Sequence, residues 1–365
     1  MPTAGSNETV PAVMRAAVYV GDSKVEVREV ATPEIGAGEL LVRVEACGIC
    51  HTDLKKIEYN LLPPPRIYGH ETSGVVVRAG AGVREFREGD HVAVFHHVPC
   101  LECYYCRLRV YAQCQTYKRV GVTAGFEPAG GGFGQYVRVM DWIVKRGVEK
   151  IPKEVPFENA AFVEPVNTCL KAVVQCDPQP GEVVFIAGQG PIGLLFTMLV
   201  RRTGARIVAT DTIARRRELS LRCGADRCWD PRSTDVVGEI RELTEGRGAD
   251  LVIVAASGKQ IAAQAVDASR PGSRILLFAQ TSDQERVEFS GASICKEERT
   301  IFGCYSASVD LQRQSAELVF SGQLPVQDLI SHRLPLEKIH LGFDLALHPD
   351  EQSMKMIVQP QRKTQ

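Results

Sequence analysis

The chain has 365 residues, too long for one typical core and suited to two domains. Its 43 Lys and Arg against 44 Asp and Glu leave it nearly neutral, and the cations are spread out apart from the short run Arg215, Arg216, Arg217, which excludes the basic stripe of a nucleic-acid binder. No apolar run approaches the roughly 18 residues of a membrane span, and the N-terminal MPTAGSNETVPAV lacks the basic flank and apolar core of a secretory signal, so a cytoplasmic chain with no membrane partner is expected.

The opening segment reads as a frayed extension ahead of a first strand over 15–19. From there to about residue 160, the runs LLVRVEA, GVVVRAG, DHVAVF and FGQYVRV alternate with Gly and Pro turns, a pattern that predicts a barrel-like β domain. At Pro178, Gln179, Pro180 and Gly181 the texture changes. VVFIAG leads through a glycine turn into the helix PIGLLFTMLVRRTG, and RIVATD, DLVIVAAS and SRILLFAQ follow as buried strands separated by helical lengths. Continuous apolar strands alternating with helices predict a parallel sheet covered on both faces. From about Ser306 a helix and the short strands HRLPLEK and MKMIVQP return. No internal repeat, low-complexity tract or long linker interrupts the chain.

Twelve cysteines without a secretory signal point to metal ligands or buried thiols more than to disulfides. Four of them, Cys100, Cys103, Cys106 and Cys114, have the spacing C-x2-C-x2-C-x7-C, which lets the thiolates converge on one ion. Zinc with four sulfur ligands has no open position, so this ion staples a lobe and performs no chemistry; the alternative is four buried or disulfide-paired cysteines. Cys47, Cys169, Cys176, Cys223, Cys228, Cys295 and Cys304 sit singly in apolar or helical contexts and read as small core hydrophobes.

Gly188-Gln189-Gly190-Pro191-Ile192-Gly193 is a G-x-G-x-x-G turn that follows a predicted strand, opens a helix and precedes Asp211 by about 20 residues, the Rossmann fingerprint. Gly188 serves the tight turn, Gly190 the approach of backbone N–H groups to a pyrophosphate, and Gly193 the packing of helix on strand. The positive end of the helix faces the phosphates. Asp211 is placed to accept from the adenosine ribose hydroxyls and to repel a 2′-phosphate, which favours NAD. Arg215, Arg216 and Arg217 just beyond it attract an extra phosphate if Asp211 turns away, which leaves NADP as the alternative.

A second metal constellation comprises Cys50-His51-Thr52-Asp53, Gly69-His70-Glu71 and Glu164-Pro165. Cys50 supplies a thiolate and His70 an imidazole; the remaining coordination comes from Glu71, from Glu164, or from both at different stages, with an exchangeable position left open. Glu164 alternatively caps a helix. His91, His96 and His97 lack ligand spacing and read as surface or core residues. A zinc-bound alcohol loses its proton near neutral pH, and the resulting alkoxide becomes a carbonyl as its hydride moves to the nicotinamide. Thr52, two residues from Cys50, is placed to take the proton, and Asp53 to orient His70 through its other ring nitrogen.

These motifs, in this order from about Met14 onward, resemble the medium-chain zinc-dependent alcohol dehydrogenases, and GHE and EP resemble the polyol (sorbitol) and threonine dehydrogenase branch in particular. The resemblance implies an α/β protein: a GroES-like β-barrel catalytic domain with its structural zinc lobe over 1–166, a Rossmann doubly wound parallel-sheet NAD domain over 167–305, and a return segment over 306–365. It implies that Cys50, not Cys47, is the ligand, that Glu71 and Glu164 hold or exchange at the metal, and that Thr52 passes its proton through the cofactor ribose with His51 as an outer member. Arg216 falls where NAD-dependent polyol dehydrogenases carry an arginine. Lys55 stands where threonine dehydrogenases carry a histidine, a departure that argues against threonine as substrate.

The function expected is hydride transfer between a secondary alcohol or polyol and NAD, with catalytic and structural zinc, in a homodimer or homotetramer. An NADPH-preferring carbonyl reductase and a non-catalytic zinc- and nucleotide-binding protein are the other readings; the intact ligand set with Thr52 argues against the latter. Loops over 54–65, Phe126 and Cys304-Tyr305-Ser306 are expected to line the substrate pocket, and they do not fix the substrate.

Overall fold

The computed structural model describes residues 9–116, 130–279 and 286–363, so Phe126 lies outside the described residues. The chain divides into two compact units, one comprising Met1–Asn167 and Ser308–Gln365, the other Thr168–Ala307.

The first unit is built on short strands. β1 (Val13–Gly21) and β2 (Lys24–Ala31) form a hairpin whose turn residues, Asp22 and Ser23, both have positive φ, the backbone twist that matches two paired strands. Beside β1 lies β4 (Arg66–Ile67). In β3 (Leu40–Gly48) Leu40, Val42, Val44 and Ala46 are fully buried, while Arg43 and Glu45 point the other way and pair with each other at 2.7 Å. Over 42–46 that period of two sets one face inward, and at both ends, with Leu41 and Cys47 also buried, the strand is covered on both faces. The larger sheet runs β15 (Ile330–Pro335), β16 (Lys355–Gln359), β3, β5 (Glu71–Ala79), β6 (His91–Val94), β8 (Val148–Lys150), with β7 (Tyr136–Val139) also on β3. The late strand β16 is antiparallel to β3, with Ile357 opposite Gly48 and Val358 opposite Cys47. A segment from the end of the chain is thereby set against the residues that precede Cys50.

The second unit is a six-stranded parallel sheet in the order β11 (Arg227–Trp229), β10 (Arg206–Thr210), β9 (Val183–Ala187), β12 (Ala249–Val254), β13 (Ser269–Leu277), β14 (Thr300–Gly303). All five residues of β9 are buried, and helix Pro191–Arg201 buries Leu194, Leu195, Phe196 and Leu199. The chain starts the sheet at β9, adds two strands on one side and three on the other, and so creates a switch point at the carboxyl ends of β9 and β12, where α/β sheets bind ligands. This is an α/β protein with a GroES-like domain and a Rossmann-like domain. Among the described residues no helix is long and apolar enough to cross a membrane.

Candidate metal and nucleotide sites

Helix α1 (His51–Glu58) starts at Cys50, whose sulfur accepts from Thr52 N at 3.5 Å. The first turn buries Asp53 completely, and its Oδ1 lies 3.0 Å from His70 Nδ1. The carboxylate therefore engages one ring nitrogen and leaves Nε2 for another partner. Donor atoms of Cys50, His70 and Glu71 all lie within 4.8 Å of one another. A thiolate, an imidazole and a carboxylate at that separation fit a zinc ion. Electrostatics agree: burial opposes a charge on His70, yet Asp53 and Cys50 outweigh it and hold the imidazole pKa well above its usual value. A buried pocket with this anionic bias is stabilised by a cation.

Glu71 has a second partner that the sequence does not reveal. The buried Lys355 of β16 donates to Glu71 Oε1 at 2.6 Å and to the Ile49 carbonyl at 3.0 Å. Burial works against the ammonium, but the Glu71 charge, helped by Cys50, raises its pKa above the ordinary lysine value. Gly48 makes room for the pair, since a Cβ there would lie 1.8 Å from Glu71 Oε2 and 2.9 Å from Lys355 Cε. Removing one member of a buried pair leaves an uncompensated charge, so Lys355→Met is expected to destabilise the chain by about 3–5 kcal/mol. Urea denaturation measures this, and a loss within experimental scatter would show that the pair carries no stability.

Glu164 occupies the first turn of helix Val163–Cys176. Its Oε1 lies 3.6 Å from His96 Nδ1, and the His96 ring lies 5.7 Å from that of His70. His96 is thus a buried core residue, as one of the two expected roles had it, and lies beside His70 and Glu164. Burial, with His97, His70 and Lys56 nearby, keeps its pKa well below the usual range, and His97 is lowered likewise by burial and then by Lys56 and His70. Cys47 is fully buried, and a Cβ on Gly69 or Gly132 would come within 2.9 or 2.5 Å of its sulfur. His51 is exposed and Thr52 half-buried, both on the first turn of α1.

In the four-cysteine lobe the sulfurs of Cys103 and Cys106 are 3.5 Å apart, those of Cys100 and Cys114 3.6 Å, and those of Cys100 and Cys106 3.9 Å. A disulfide needs about 2.05 Å. A tetrahedron of sulfurs about 2.3 Å from zinc has edges of about 3.8 Å, and the observed separations match it. The Cys106 thiol is pushed up to about 12 by burial and by its hydrogen bond with Cys103, so without a cation that thiol resists ionisation.

At the nucleotide turn Gly188 has φ +97°, and a Cβ would meet that of Ala256 at 2.7 Å. A Cβ on Gly193 would lie 1.9 Å from the Gly188 carbonyl oxygen, so helix and strand approach as closely as they do only without one. At Gly190 the space is open, and the nearest atom to a Cβ is Arg216 Nη1 at 3.8 Å. Asp211 closes the turn: Oδ2 accepts from Gln189 N at 2.8 Å and Oδ1 from Ile213 N at 2.9 Å. Gln189 itself is buried and accepts from Thr197 Oγ1 at 2.8 Å. Open backbone at a helix N-terminus with a carboxylate behind it fits a dinucleotide.

This combination defines a class, and comparison with known proteins gives the same one. Residues 36–152 match the alcohol dehydrogenase GroES-like domain and residues 191–321 the zinc-binding dehydrogenase model. The chain belongs to the medium-chain zinc-dependent dehydrogenases and is an oxidoreductase of that family. It is similar to L-threonine 3-dehydrogenase of Pyrococcus abyssi (32% identical, 93% of each chain covered) and to sorbitol dehydrogenase of Bacillus subtilis (28%, covering 97% of this chain and 99% of that one). Among solved structures, a zinc-binding dehydrogenase from Sinorhizobium meliloti bound to NADP superposes with a TM-score of 0.86 at 29% identity, covering 96% of this chain and all of that one.

Proposed function

We propose that the chain transfers a hydride between a secondary alcohol or polyol and NAD at a zinc held by Cys50, His70 and a carboxylate. The observation that carries this is the convergence of the half-buried Cys50 with the buried His70 and Glu71 beside the first turn of α1. Zinc in that position supplies Lewis acidity, which lowers the pKa of an alcohol oxygen toward neutrality. NAD supplies the hydride acceptor. Everything else falls to the chain. Asp53 fixes the tautomer and orientation of His70. Thr52 Oγ1 takes the alcohol proton as its own hydroxyl proton passes on through the cofactor ribose, and the exposed His51, the outer member, delivers a proton to water. Lys355 holds the Glu71 carboxylate, and Glu164, against His96, would be the second carboxylate available to the metal. Zinc content per chain, together with reduced cofactor formed from a panel of polyols, amino alcohols and cyclic secondary alcohols, tests this reading; a zinc-replete chain that reduces no cofactor and oxidises none with the matching ketones would overturn it.

NAD is favoured by Asp211, whose charge repels a 2′-phosphate. The cluster Arg215, Arg216, Arg217 just beyond Asp211, and the relative bound to NADP, favour the phosphorylated cofactor as a second reading. Asp211→Ala is expected to shift the kcat/KM ratio of NAD to NADP toward NADP by about tenfold or more, a loss of 1.4 kcal/mol or more in discrimination. Because Asp211 also caps two backbone N–H groups, the variant is expected to lose stability as well. An unchanged ratio would refute the selectivity role and leave Asp211 only its capping role.

A further inference from the structure

We propose that Lys56 anchors an anionic group, carboxylate or phosphate, on the alcohol substrate, so that the chain's substrates are anionic secondary alcohols. This rests on the dehydrogenase reading above and narrows it to a substrate class. Lys56 follows Thr52 by one helical turn on the same face of α1. Both side chains therefore leave the same face of the helix. The ammonium is close enough to Cys50, Asp53, Glu164, His96 and His97 to interact electrostatically with all five.

The carboxylates of this region already have direct partners. Asp53 is engaged by His70 at 3.0 Å, Glu71 by Lys355 at 2.6 Å, and Glu164 lies 3.6 Å from His96. Among the described residues Lys56 makes no hydrogen bond and no ion pair. Burial lowers its pKa, against the pull of Asp53, Cys50 and Glu164. Lys56 is half-buried on the face of α1 that carries Thr52, and with no hydrogen bond or ion pair among the described residues its three donors are open to an arriving anion. The two buried imidazoles facing it are held neutral and do not compete for an anion. An anion bound by the substrate's own substituent satisfies the donors and fixes which carbinol carbon meets the metal.

The test uses the full-length, zinc-loaded chain with three probes: 3-hydroxybutanoate for the carboxylate, glycerol 1-phosphate for the phosphate and butane-2,3-diol as the neutral control. Cofactor reduction gives kcat/KM, and calorimetric titration in the presence of NADH gives binding independently of turnover. Wild type is expected to favour one anion over the diol, and which anion it is identifies the group. Lys56→Met is expected to lower that anion-to-diol ratio about 30-fold, and Lys56→Arg to keep most of it, as expected when a charge-assisted hydrogen bond is lost or retained. The proposal is overturned if wild type binds neither anion or favours the diol, or if Lys56→Met leaves the ratio unchanged. An unchanged ratio with loss of zinc or stability would show that Lys56 only balances the nearby acids. The two readings fail separately. Anion binding that needs Lys56, with no turnover of these probes, of the wider alcohol panel or of the matching ketones, refutes the dehydrogenase reading alone, whereas diol turnover with anion binding equal in wild type and Lys56→Met refutes the anion anchor alone.

Discussion

Cys103→Ser is expected to cost one zinc ion per chain and to melt the lobe over residues 100–114. The lobe has almost no other means of holding itself together. Its secondary structure is one turn of helix at Tyr104–Arg107 and a 3₁₀ turn at Tyr111–Gln113. Its buried cluster is Cys106, Tyr111 and Cys114, with Cys100, Leu101, Cys103 and Val309 against them, so most of its core is made of the ligands themselves. Tyr104, Tyr105, Leu108 and Val110 are exposed. A segment that buries so little apolar surface cannot offset the entropy of ordering it. Structural zinc contributes about 10–16 kcal/mol in small peptides, far more than the few apolar contacts here. Serine keeps the shape and loses the thiolate, so the ion is lost and the lobe with it. Zinc per chain and thermal denaturation together check this. Zinc lost with the melting temperature and the assembly unchanged would mean that the ion is not a staple. The Tyr111 hydroxyl, which donates to Asp310 Oδ2 at 2.9 Å, marks where damage would spread into the return segment.

The parts of this protein that could be read from sequence are those whose physics is local. The continuous apolar runs of the second unit announce buried parallel strands because a strand covered on both faces has no polar side to show. The roles of Gly188 and Gly193 follow from a strand-turn-helix pattern a few residues long, and the clashes that a Cβ would meet there are the same constraint in atomic terms. What stayed hidden is what the fold brings together from far apart. Lys355 meets Glu71 across 284 residues, because β16 adds itself to β3, and no spacing rule connects a lysine in MKMIVQP to a GHE motif. His96 reads as an isolated histidine until helix Val163–Cys176 sets Glu164 beside it. Asp211 shows the reverse limit. Its position was legible, but its two hydrogen bonds to Gln189 N and Ile213 N were not, so a residue read only as a cofactor acceptor also closes the turn that presents the glycines. The candidate metal residues divide in the same way: Cys50 and His70 stand out by motif, whereas the contacts of Glu71 with Lys355 and of Glu164 with His96 come only from the fold.

Thr52→Ala is expected to remove most turnover while zinc content and NAD affinity stay near wild type. The residue is half-buried on the first turn of α1, and the bond it makes there runs from its backbone N–H to Cys50 Sγ, which alanine preserves. It belongs to neither the convergent ligand set nor the glycine turn, so neither the metal nor the pyrophosphate has reason to leave. What alanine removes is a hydroxyl beside the ligand Cys50, next to the exposed His51, and with it the group that lifts the proton from the alcohol oxygen. General acid–base groups of this kind contribute about 10² to 10⁴ in rate, so the loss is large enough to separate from a small structural effect. Thr52→Ser keeps the hydroxyl, loses only a methyl, and should retain substantial activity. His51→Ala, one step further out and open to water, should cost less than Thr52→Ala, because solvent can replace an exposed proton carrier. The pH profile gives a second readout. If Thr52 is the first acceptor, the residual rate of Thr52→Ala should rise with pH as hydroxide substitutes for the missing relay, whereas a merely structural defect would leave the profile parallel to wild type. Turnover by Thr52→Ala near the wild-type rate at neutral pH would mean that the proton leaves by another path, and Glu71, held by Lys355, would be the next residue to change.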